Sequence, residues 1–152
     1  NNYGPYQHPE KLIPRMILRC LEGETLPIYG NGENIRDWLY VEDHAEAIYL
    51  IAQQGRLGET YNVGGECEIS NLDIIDKIIM SLSKNTGEAE AHLHALKRFV
   101  EDRPGHDFRY SIDCSKLKSE LGWSPRHTIE TGLEYTVQWY IEAHKQQYLQ
   151  LV

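Results

Sequence analysis

The sequence predicts a small mixed α/β domain with short strands. Segments with apolar residues at helical spacing alternate with shorter segments, bounded by glycine, that are typical of strands. The chain has 152 residues, of which 41% are hydrophobic and 25% charged, and these values suit one soluble domain with its own core. No internal repeat or low-complexity tract divides the sequence, so residues 1–152 are expected to form a single domain.

The first half of the chain is expected to hold two helices separated by two short strands. A helix is predicted over Pro9–Glu22, because its apolar residues recur at helical spacing and a glycine follows as a C-cap. Strands are predicted over Leu26–Tyr29 and Ile35–Val41, and the glycine turn between them indicates a hairpin or strands that flank a tight connection. A second helix is predicted from Val41 to about Gln54, since acidic residues in its first turn suit the helix dipole.

The middle of the chain is expected to hold a strand, a helix and a surface segment. Thr60–Val63 alternates apolar and polar residues before two glycines, a pattern that predicts a strand. Ser70 and Asn71 together predict an N-cap for a helix that continues to about Ser83 with one apolar face. Lys84–His94 is polar and weakly patterned, which indicates a surface excursion.

The last third of the chain is expected to begin with a strand and a rigid turn. The strand is predicted over Arg98–Asp102, and it leads into Arg103–His106, where adjacent proline and glycine exclude regular structure. A short helix capped by Asp113 or Ser115 follows. An amphipathic helix is predicted from about residue 128 to residue 144.

The charge and composition of the chain exclude several classes of partner. The net charge is −8 and the basic residues are scattered among acids, so the basic stripe typical of nucleic-acid-binding proteins is missing. No apolar run approaches the roughly 18 residues that a membrane span needs. Three widely spaced cysteines fit reduced thiols rather than a disulfide frame. We therefore expect a cytoplasmic protein that binds neither nucleic acid nor membrane.

Two arginines lie in sequence contexts that suit the binding of a small anion. Arg36 opens a strand shortly after a glycine turn, and Arg103 precedes a proline and a glycine in a rigid bend, with His106 as a further donor. Arginine suits phosphate because its planar fork can donate two parallel hydrogen bonds. The alternative is that each arginine lies on the surface in an ion pair, with Asp37 or Asp102 as its partner.

Three further residues with possible roles in binding lie at the ends of predicted elements. Tyr29 ends a strand and could offer its ring to a nucleobase, although half-buried packing is the usual role of such a residue. Lys11 at a helix start and Asn71 at a helix N-cap could each reach a polar ligand. Capping is the alternative role of Asn71, but a phosphate is favoured at that helix N-terminus. His92 and His94 are too few to form a metal centre, so no metal site is expected.

Six sequence blocks lie in order along nearly the whole chain. They are Asn-Asn-Tyr-Gly-Pro-Tyr-Gln from residue 1, Pro-Glu-Lys-Leu-Ile-Pro from 9, Leu-Pro-Ile-Tyr-Gly from 26, Arg-Asp-Trp-Leu-Tyr-Val-Glu-Asp-His from 36, Tyr-Asn-Val-Gly-Gly from 61 and Asp-Arg-Pro-Gly-His-Asp from 102. Together these blocks resemble the dTDP-glucose 4,6-dehydratase family. The resemblance implies the small, substrate-binding C-terminal part of an extended short-chain dehydrogenase/reductase. The NAD(P)-binding Rossmann-type domain would then lie upstream of residue 1.

The resemblance also implies an activity for the parent protein. That family uses bound NAD to oxidise C4 of the glucose unit, eliminates water across C5 and C6, and returns the hydride to C6. The parent is then expected to be a homodimeric lyase of deoxysugar and rhamnose biosynthesis. The family's Tyr-x-x-x-Lys pair, acid pair and glycine fingerprint lie upstream of residue 1, so no catalytic residue is assigned here. The chain alone is expected to be inactive and to self-associate through exposed interdomain surface.

The roles in substrate recognition carry over residue by residue. Arg36 and Arg103 would clamp the diphosphate, the segment Pro27–Tyr29 would contact the thymine, and Asn2 would lie near the nicotinamide end of NAD. The implied substrate contacts are, in full, Asn1, Lys11, Leu12, Pro27, Ile28, Tyr29, Arg36, Asn71, Asp102, Arg103 and His106.

Two alternative functions remain open at this point. The first keeps the superfamily and changes the substrate, as in a UDP-sugar epimerase, a decarboxylase or another NDP-sugar dehydratase. The segment around Tyr29, which would contact the base, discriminates between these. The second is a standalone sugar-nucleotide-binding module without catalysis, and an upstream Rossmann fingerprint in the full gene would exclude it.

Overall fold

The computed structural model describes residues 1–149, and the mixed α/β class predicted from the sequence is confirmed. Helices and short strands alternate along the chain, as the apolar periodicity predicts. The helices are α1 Leu12–Leu21, α2 Val41–Gln54, α3 Asn71–Thr86, α4 Glu90–His94, α5 Ser115–Leu121 and α6 Ile129–Leu149. The strands are β1 Asn2–Tyr3, β2 Leu26–Tyr29, β3 Ile35–Asp37, β4 Leu39–Tyr40, β5 Glu68–Ser70 and β6 Lys97–Val100.

The strands form three separate pairs, and the predicted hairpin between β2 and β3 is wrong. Strand β2 pairs in parallel with β6, β3 pairs antiparallel with β5, and β1 pairs in parallel with β4. The turn after β2 redirects the chain because Gly30 and Gly32 both adopt positive φ angles, of 57° and 77°. The backbone nitrogen of Gly30 donates to the carbonyl of Val100, which keeps this turn on β6. The other interpretation, strands that flank a tight connection, fits this arrangement.

The main core lies where α1, α3 and α6 pack together. The inner face of α3 is aliphatic, and Ile74, Ile75, Ile78 and Ile79 are each fully buried there. Burying each such side chain stabilises the fold by about 1.5–3 kcal/mol, before the entropy cost of ordering it. The same cluster includes Ile13, Met16 and Ile17 of α1 and Leu133, Val137 and Tyr140 of α6. Because α1 and α3 are held side by side, their N-termini are fixed relative to each other.

A smaller core joins α2 to α5. Leu39, Ala47, Leu117 and Trp123 are buried in it. The predicted strand Thr60–Val63 is wrong: the segment is irregular and pairs with no strand of residues 1–149. Alternation of apolar and polar residues is not enough to form a strand when no neighbouring strand offers backbone hydrogen bonds.

Two further predictions, the N-cap of α3 and the surface excursion that follows the helix, differ from the structure. The hydroxyl of Ser70 accepts a hydrogen bond from the backbone nitrogen of Asp73 at 3.1 Å, so Ser70 alone is the N-cap and Asn71 is the first helical residue. Helix α3 continues to Thr86 and ends at Gly87, which has a φ of 78°. The predicted surface excursion therefore contains the end of α3 and the short helix α4. Within the described residues, no helix is both long and apolar enough to span a bilayer.

Candidate functional site

An open cleft of about 500 Å³ lies where several element ends converge. The N-termini of α1 and α3 form part of its wall, together with β2, β3 and the turn after β6. Its lining residues are Asn1, Glu10, Lys11, Leu12, Arg15, Met16, Pro27, Tyr29, Arg36, Trp38, Asn71, Arg103 and His106. The lining contains three arginines and one lysine but only one acidic residue. The cleft is therefore locally basic, although the whole chain carries a net charge of −8.

Nine of the twelve residues predicted from the sequence to bind substrate or cofactor lie in this one cleft. They come from six separate parts of the sequence, so their convergence is a property of the fold. The nine are Asn1, Lys11, Leu12, Pro27, Tyr29, Arg36, Asn71, Arg103 and His106.

Arg36 is a buried cation on the wall of the cleft. Only 6% of the residue is exposed, and no carboxylate of the described residues lies within ion-pair distance of its guanidinium. Nη1 donates to the carbonyl of Ile35 at 2.7 Å, and Nη2 donates to the carbonyl of Asp107 at 2.8 Å. The ring of Tyr110 lies 4.4 Å from the guanidinium carbon. These acceptors fix the guanidinium without cancelling its positive charge, so Arg36 is not the surface ion pair with Asp37 considered above.

Asp37 has a different role. It is 2% exposed, and its carboxylate accepts hydrogen bonds from the backbone nitrogens of Gly65 at 2.9 Å and Cys67 at 2.8 Å. These bonds tie β3 to the loop that leads into β5. The two neighbouring charges therefore face different surroundings, because successive side chains of a strand point to opposite faces.

His106 connects Arg36 to Asp102. Its Nδ1 lies 2.7 Å from Oδ1 of Asp102, and its Nε2 lies 3.0 Å from Nη2 of Arg36. The His106 side chain is only 7% exposed. The hydrogen bond from His106 holds the pKa of the Asp102 carboxyl below its usual value. Asp102 is thus engaged in holding His106.

Arg103 lies at the start of a tight turn and faces the cleft. The backbone nitrogen of His106 donates to the carbonyl of Arg103 at 3.2 Å, and Gly105 has a φ of 71°. Proline at the second position and a positive-φ glycine at the third are the residues that a type II turn requires. The side chain of Arg103 forms no ion pair with the described residues, so its charge remains available to a ligand.

Two helix N-termini open on the cleft near these arginines. Lys11 is the N-cap of α1 and makes no side-chain capping bond, so the first backbone N–H groups of α1 have no side-chain acceptor there. Lys11 instead pairs with Glu10 at 3.0 Å, and both side chains are largely exposed. Asn71 begins α3, and since Ser70 performs the capping, the Asn71 amide is not needed for that purpose. Helix N-termini favour anions because their partial positive charge points along the axis.

An aromatic residue forms the end of the cleft that lies by β2. Tyr29 is 39% exposed, and its ring meets the ring of His106 edge-on, with centroids 6.4 Å apart. A partly exposed ring of this kind can stack on a planar base. Pro27 lies on the same face of β2, two residues earlier, and also lines the cleft.

Three predicted residues do not line the cleft. Ile28 is 2% exposed and belongs to the main core, because alternation along β2 turns its side chain away from Pro27 and Tyr29. Asp102 does not line the cleft itself, but its Oδ1 contacts Nδ1 of His106, which does. Asn2 contacts Nδ1 of His44 through its side-chain amide, and burial lowers the pKa of that histidine.

Four lining residues are absent from the sequence-based prediction. Arg15 and Met16 each lie four residues after a predicted contact, Lys11 and Leu12, so helical periodicity could have identified them. Trp38 lies two residues after Arg36 in the strand predicted over Ile35–Val41, so strand alternation could have identified it, whereas no pattern in the sequence indicates Glu10.

The two histidines of the predicted surface excursion Lys84–His94 each contact a carboxylate in the structure. His92 lies 2.5 Å from a carboxylate oxygen of Glu88, and His94 lies 3.5 Å from Asp76. In the part of the chain that the structure describes, no group of three or more His, Cys, Asp or Glu side chains is arranged to hold a metal ion.

The fold is that of an extended short-chain dehydrogenase/reductase. The chain superimposes on a dTDP-glucose 4,6-dehydratase from Bacillus anthracis, solved in complex with NAD, with a TM-score of 0.85, 46% identity and coverage of 95% of this chain and 43% of that chain. It superimposes on the same enzyme from Streptomyces venezuelae, solved with NAD and TYD bound, with a TM-score of 0.86 and 44% identity, covering 96% of this chain and 43% of that chain.

Sequence comparison gives the family. Residues 1–136 match the family described as GDP-mannose 4,6 dehydratase, and the chain belongs to it. The dTDP-glucose 4,6-dehydratase of Haemophilus influenzae is 54% identical over 144 residues, which are 93% of this chain and 43% of the relative. That of Escherichia coli is 52% identical over 144 residues, which are 93% of this chain and 40% of the relative. The chain therefore spans well under half the length of these relatives.

Proposed function

We propose that this chain is the nucleotide-sugar-binding portion of a dTDP-glucose 4,6-dehydratase and that its cleft holds the dTDP-sugar. The observation that carries the proposal is Arg36, a buried guanidinium on the cleft wall whose charge no carboxylate of the described residues balances. Burying an unpaired charge is costly unless a counter-charge arrives. A diphosphate supplies that counter-charge.

The surroundings of Arg36 support a diphosphate rather than a single carboxylate. Arg103 adds a second cation without an ion pair in the described residues, and the N-termini of α1 and α3 open on the same space. Two arginines with two helix N-termini suit a ligand that carries two negative charges spread over several oxygens.

The nucleobase would lie against Tyr29 and Pro27. Their shared face of β2 gives a flat, partly exposed surface at one end of the cleft, beside the cationic wall. A base stacked on Tyr29 would leave the diphosphate near Arg36, because His106 contacts both residues. Lys11 and Leu12 would close the same region from α1.

In the whole protein the reaction would convert dTDP-glucose into its 4-keto-6-deoxy product with loss of water. NAD would supply reversible hydride transfer, but the residues of this chain do not fit a dinucleotide site. The sequence holds no glycine-rich loop that opens a βαβ unit, and the amide of Asn2 is engaged with His44. The residues described above bind and orient the substrate, and the chain alone is expected to be inactive.

A UDP-sugar epimerase is the second candidate function. The UDP-glucuronic acid 4-epimerase of Bacillus cereus, solved with UDP-glucuronic acid and NAD, superimposes with a TM-score of 0.80 and 30% identity, covering 94% of this chain and 43% of that chain. The higher identity to the dehydratases, 44% and 46% for the two structures above, favours the first proposal. Base preference separates the two candidates.

Three other sequence-based expectations concern the parent protein rather than the cleft. They are a homodimeric parent, a cytoplasmic location, and self-association of this chain through interdomain surface. All three remain predictions.

Calorimetric titration of the chain with dTDP-glucose and UDP-glucose, each with and without NAD, tests the proposal. We expect dTDP-glucose to bind more tightly than UDP-glucose and the binding to be lost in Arg36→Ala and Arg103→Ala. Arg126→Ala is the matched control, because Arg126 is exposed and pairs with Glu46 away from the cleft. A preference for UDP-glucose would favour the epimerase. Binding that survives both arginine substitutions would refute the assignment of the cleft.

A further inference from the structure

Arg36 is held in place by a chain of hydrogen bonds that begins outside the cleft. Asp102 contacts Nδ1 of His106, and Nε2 of His106 contacts Nη2 of Arg36, at 2.7 and 3.0 Å. An ionised carboxylate only accepts hydrogen bonds and a guanidinium only donates them. His106 must therefore donate from Nδ1 and accept at Nε2, which is the neutral Nδ1–H tautomer.

We infer that Asp102 and His106 are positioning residues for Arg36. Asp102 fixes the proton of His106 on Nδ1, and the bare Nε2 then holds one amino group of Arg36 at the cleft wall. This assigns Asp102 a role different from the substrate contact expected from the sequence. The inference rests on the proposed function, because it treats Arg36 as the group that meets the diphosphate.

The opposite tautomer would break this arrangement. With the proton on Nε2, His106 would direct an N–H at the N–H of Arg36, and no hydrogen bond could form between them. The remaining acceptors of Arg36, the carbonyls of Ile35, Asp107 and Phe108, would still hold it. The guanidinium would then be fixed by its backbone contacts without the His106 bond, and its orientation toward the cleft would be less well defined.

The turn itself does not depend on the charge of Asp102. Oδ1 of Asp102 also accepts from the backbone nitrogen of Arg103 at 2.8 Å, and the amide oxygen of asparagine can do the same. Asp102→Asn therefore keeps the turn while its amide can donate to Nδ1 of His106 and so permit the wrong tautomer. His106→Gln places an amide oxygen where Nε2 lies, so that an acceptor for Arg36 no longer depends on residue 102.

The test combines these two substitutions. In calorimetric titration with dTDP-glucose, Asp102→Asn is expected to weaken binding about tenfold, the loss expected for one hydrogen bond. In a His106→Gln background the same substitution is expected to have no further effect, because the two residues act in series. A tenfold loss from Asp102→Asn that persists in the His106→Gln background would overturn the inference and indicate direct ligand contact.

A measurement without ligand separates this inference from the proposed function. Long-range ¹H–¹⁵N spectra of the free chain report the tautomer of each histidine, and His106→Gln assigns the signal. The Nδ1–H form is expected for His106, and an Nε2–H form would overturn the inference whatever the chain binds. If the tautomer is as expected but dTDP-glucose does not bind, the proposed function fails, and the ligand-positioning role fails with it.

Discussion

Asp43 accepts two hydrogen bonds from His127, one from the backbone nitrogen at 3.0 Å and one from Nδ1 at 2.9 Å. Asp43 lies in the first turn of α2 and is 2% exposed, while the two residues are 84 positions apart in the sequence. The pair fixes the segment before α6 on the N-terminus of α2. It joins the smaller core to the helix that packs in the main core.

Replacement of Asp43 by alanine is expected to destabilise the protein strongly. It leaves two donors of the half-buried His127 without their acceptor, and the free energy of unfolding should fall by about 2–3 kcal/mol. Urea denaturation measures the change. Asp43→Asn keeps one acceptor and should lose less. Glu46→Ala, which removes only the exposed pair with Arg126, should cost under about 1 kcal/mol; an equal loss would contradict the role given to Asp43.

Substitution of Gly65 is also expected to destabilise the fold, because the backbone of Gly65 packs closely against that of Trp38, the residue after β3. A Cβ at this position would overlap the carbonyl oxygen of Trp38 and lie 2.6 Å from its carbonyl carbon. Backbone cannot move aside as a flexible side chain can, so Gly65→Ala should cost more than about 3 kcal/mol. Gly87→Ala is the comparison, because its Cβ would meet open space and only its φ of 78° opposes it. Equal midpoints in thermal unfolding for the two variants would refute the steric argument.

Much of the fold follows from local sequence patterns, and the exceptions have a common cause. Each predicted helix over the first 144 residues is present, since apolar spacing and capping residues are local signals. Strand pairing is not local: β2 pairs with β6, about 70 residues later, which no turn signal between β2 and β3 could indicate. The strand prediction for Thr60–Val63 was wrong for the same reason, because a strand needs a partner strand that the alternating pattern does not specify.

The candidate site also divides into features that local sequence predicts and features that depend on distant parts of the chain. The sequence indicates residue types that suit an anion, such as Arg36 and Arg103, but their meeting in one cleft depends on how the elements pack. Three of the four acceptors of Arg36 come from residues 70 to 72 positions away, so its burial could not be read from its neighbours in the sequence. Ile28 could have been separated from Pro27 by strand alternation alone.

Cys20 is expected to resist alkylation in the folded protein. Burial raises the pKa of its thiol to about 11, and the residue is 7% exposed in the main core. The thiolate is the reactive form, so at pH 8 its population should be about a hundredfold below that of a thiol of ordinary pKa near 9. Mass spectrometry after iodoacetamide treatment should show Cys67, which is only partly buried, labelled before Cys20. Rapid labelling of Cys20 without denaturant would show that the core opens.

Tyr29 provides the sharpest test of where the base lies. If the ring stacks on thymine, Tyr29→Phe should retain affinity for dTDP-glucose, because the π-face is unchanged. Tyr29→Ala should lose about tenfold or more, since stacking on an aromatic side chain contributes about 1–3 kcal/mol per base. Both variants should fold normally, because Tyr29 is 39% exposed. Calorimetric titration measures the affinities, and circular dichroism checks the fold.

The comparison with Phe99 makes the Tyr29 prediction specific. Phe99 lies on β6, the strand paired with β2, and its ring is 61% exposed but does not line the cleft. Phe99→Ala removes a similar aromatic area without touching the proposed base position, so affinity should stay unchanged. A loss in Phe99→Ala as large as that in Tyr29→Ala would mean that both act through the β2–β6 pair, and the base would then lie elsewhere in the cleft.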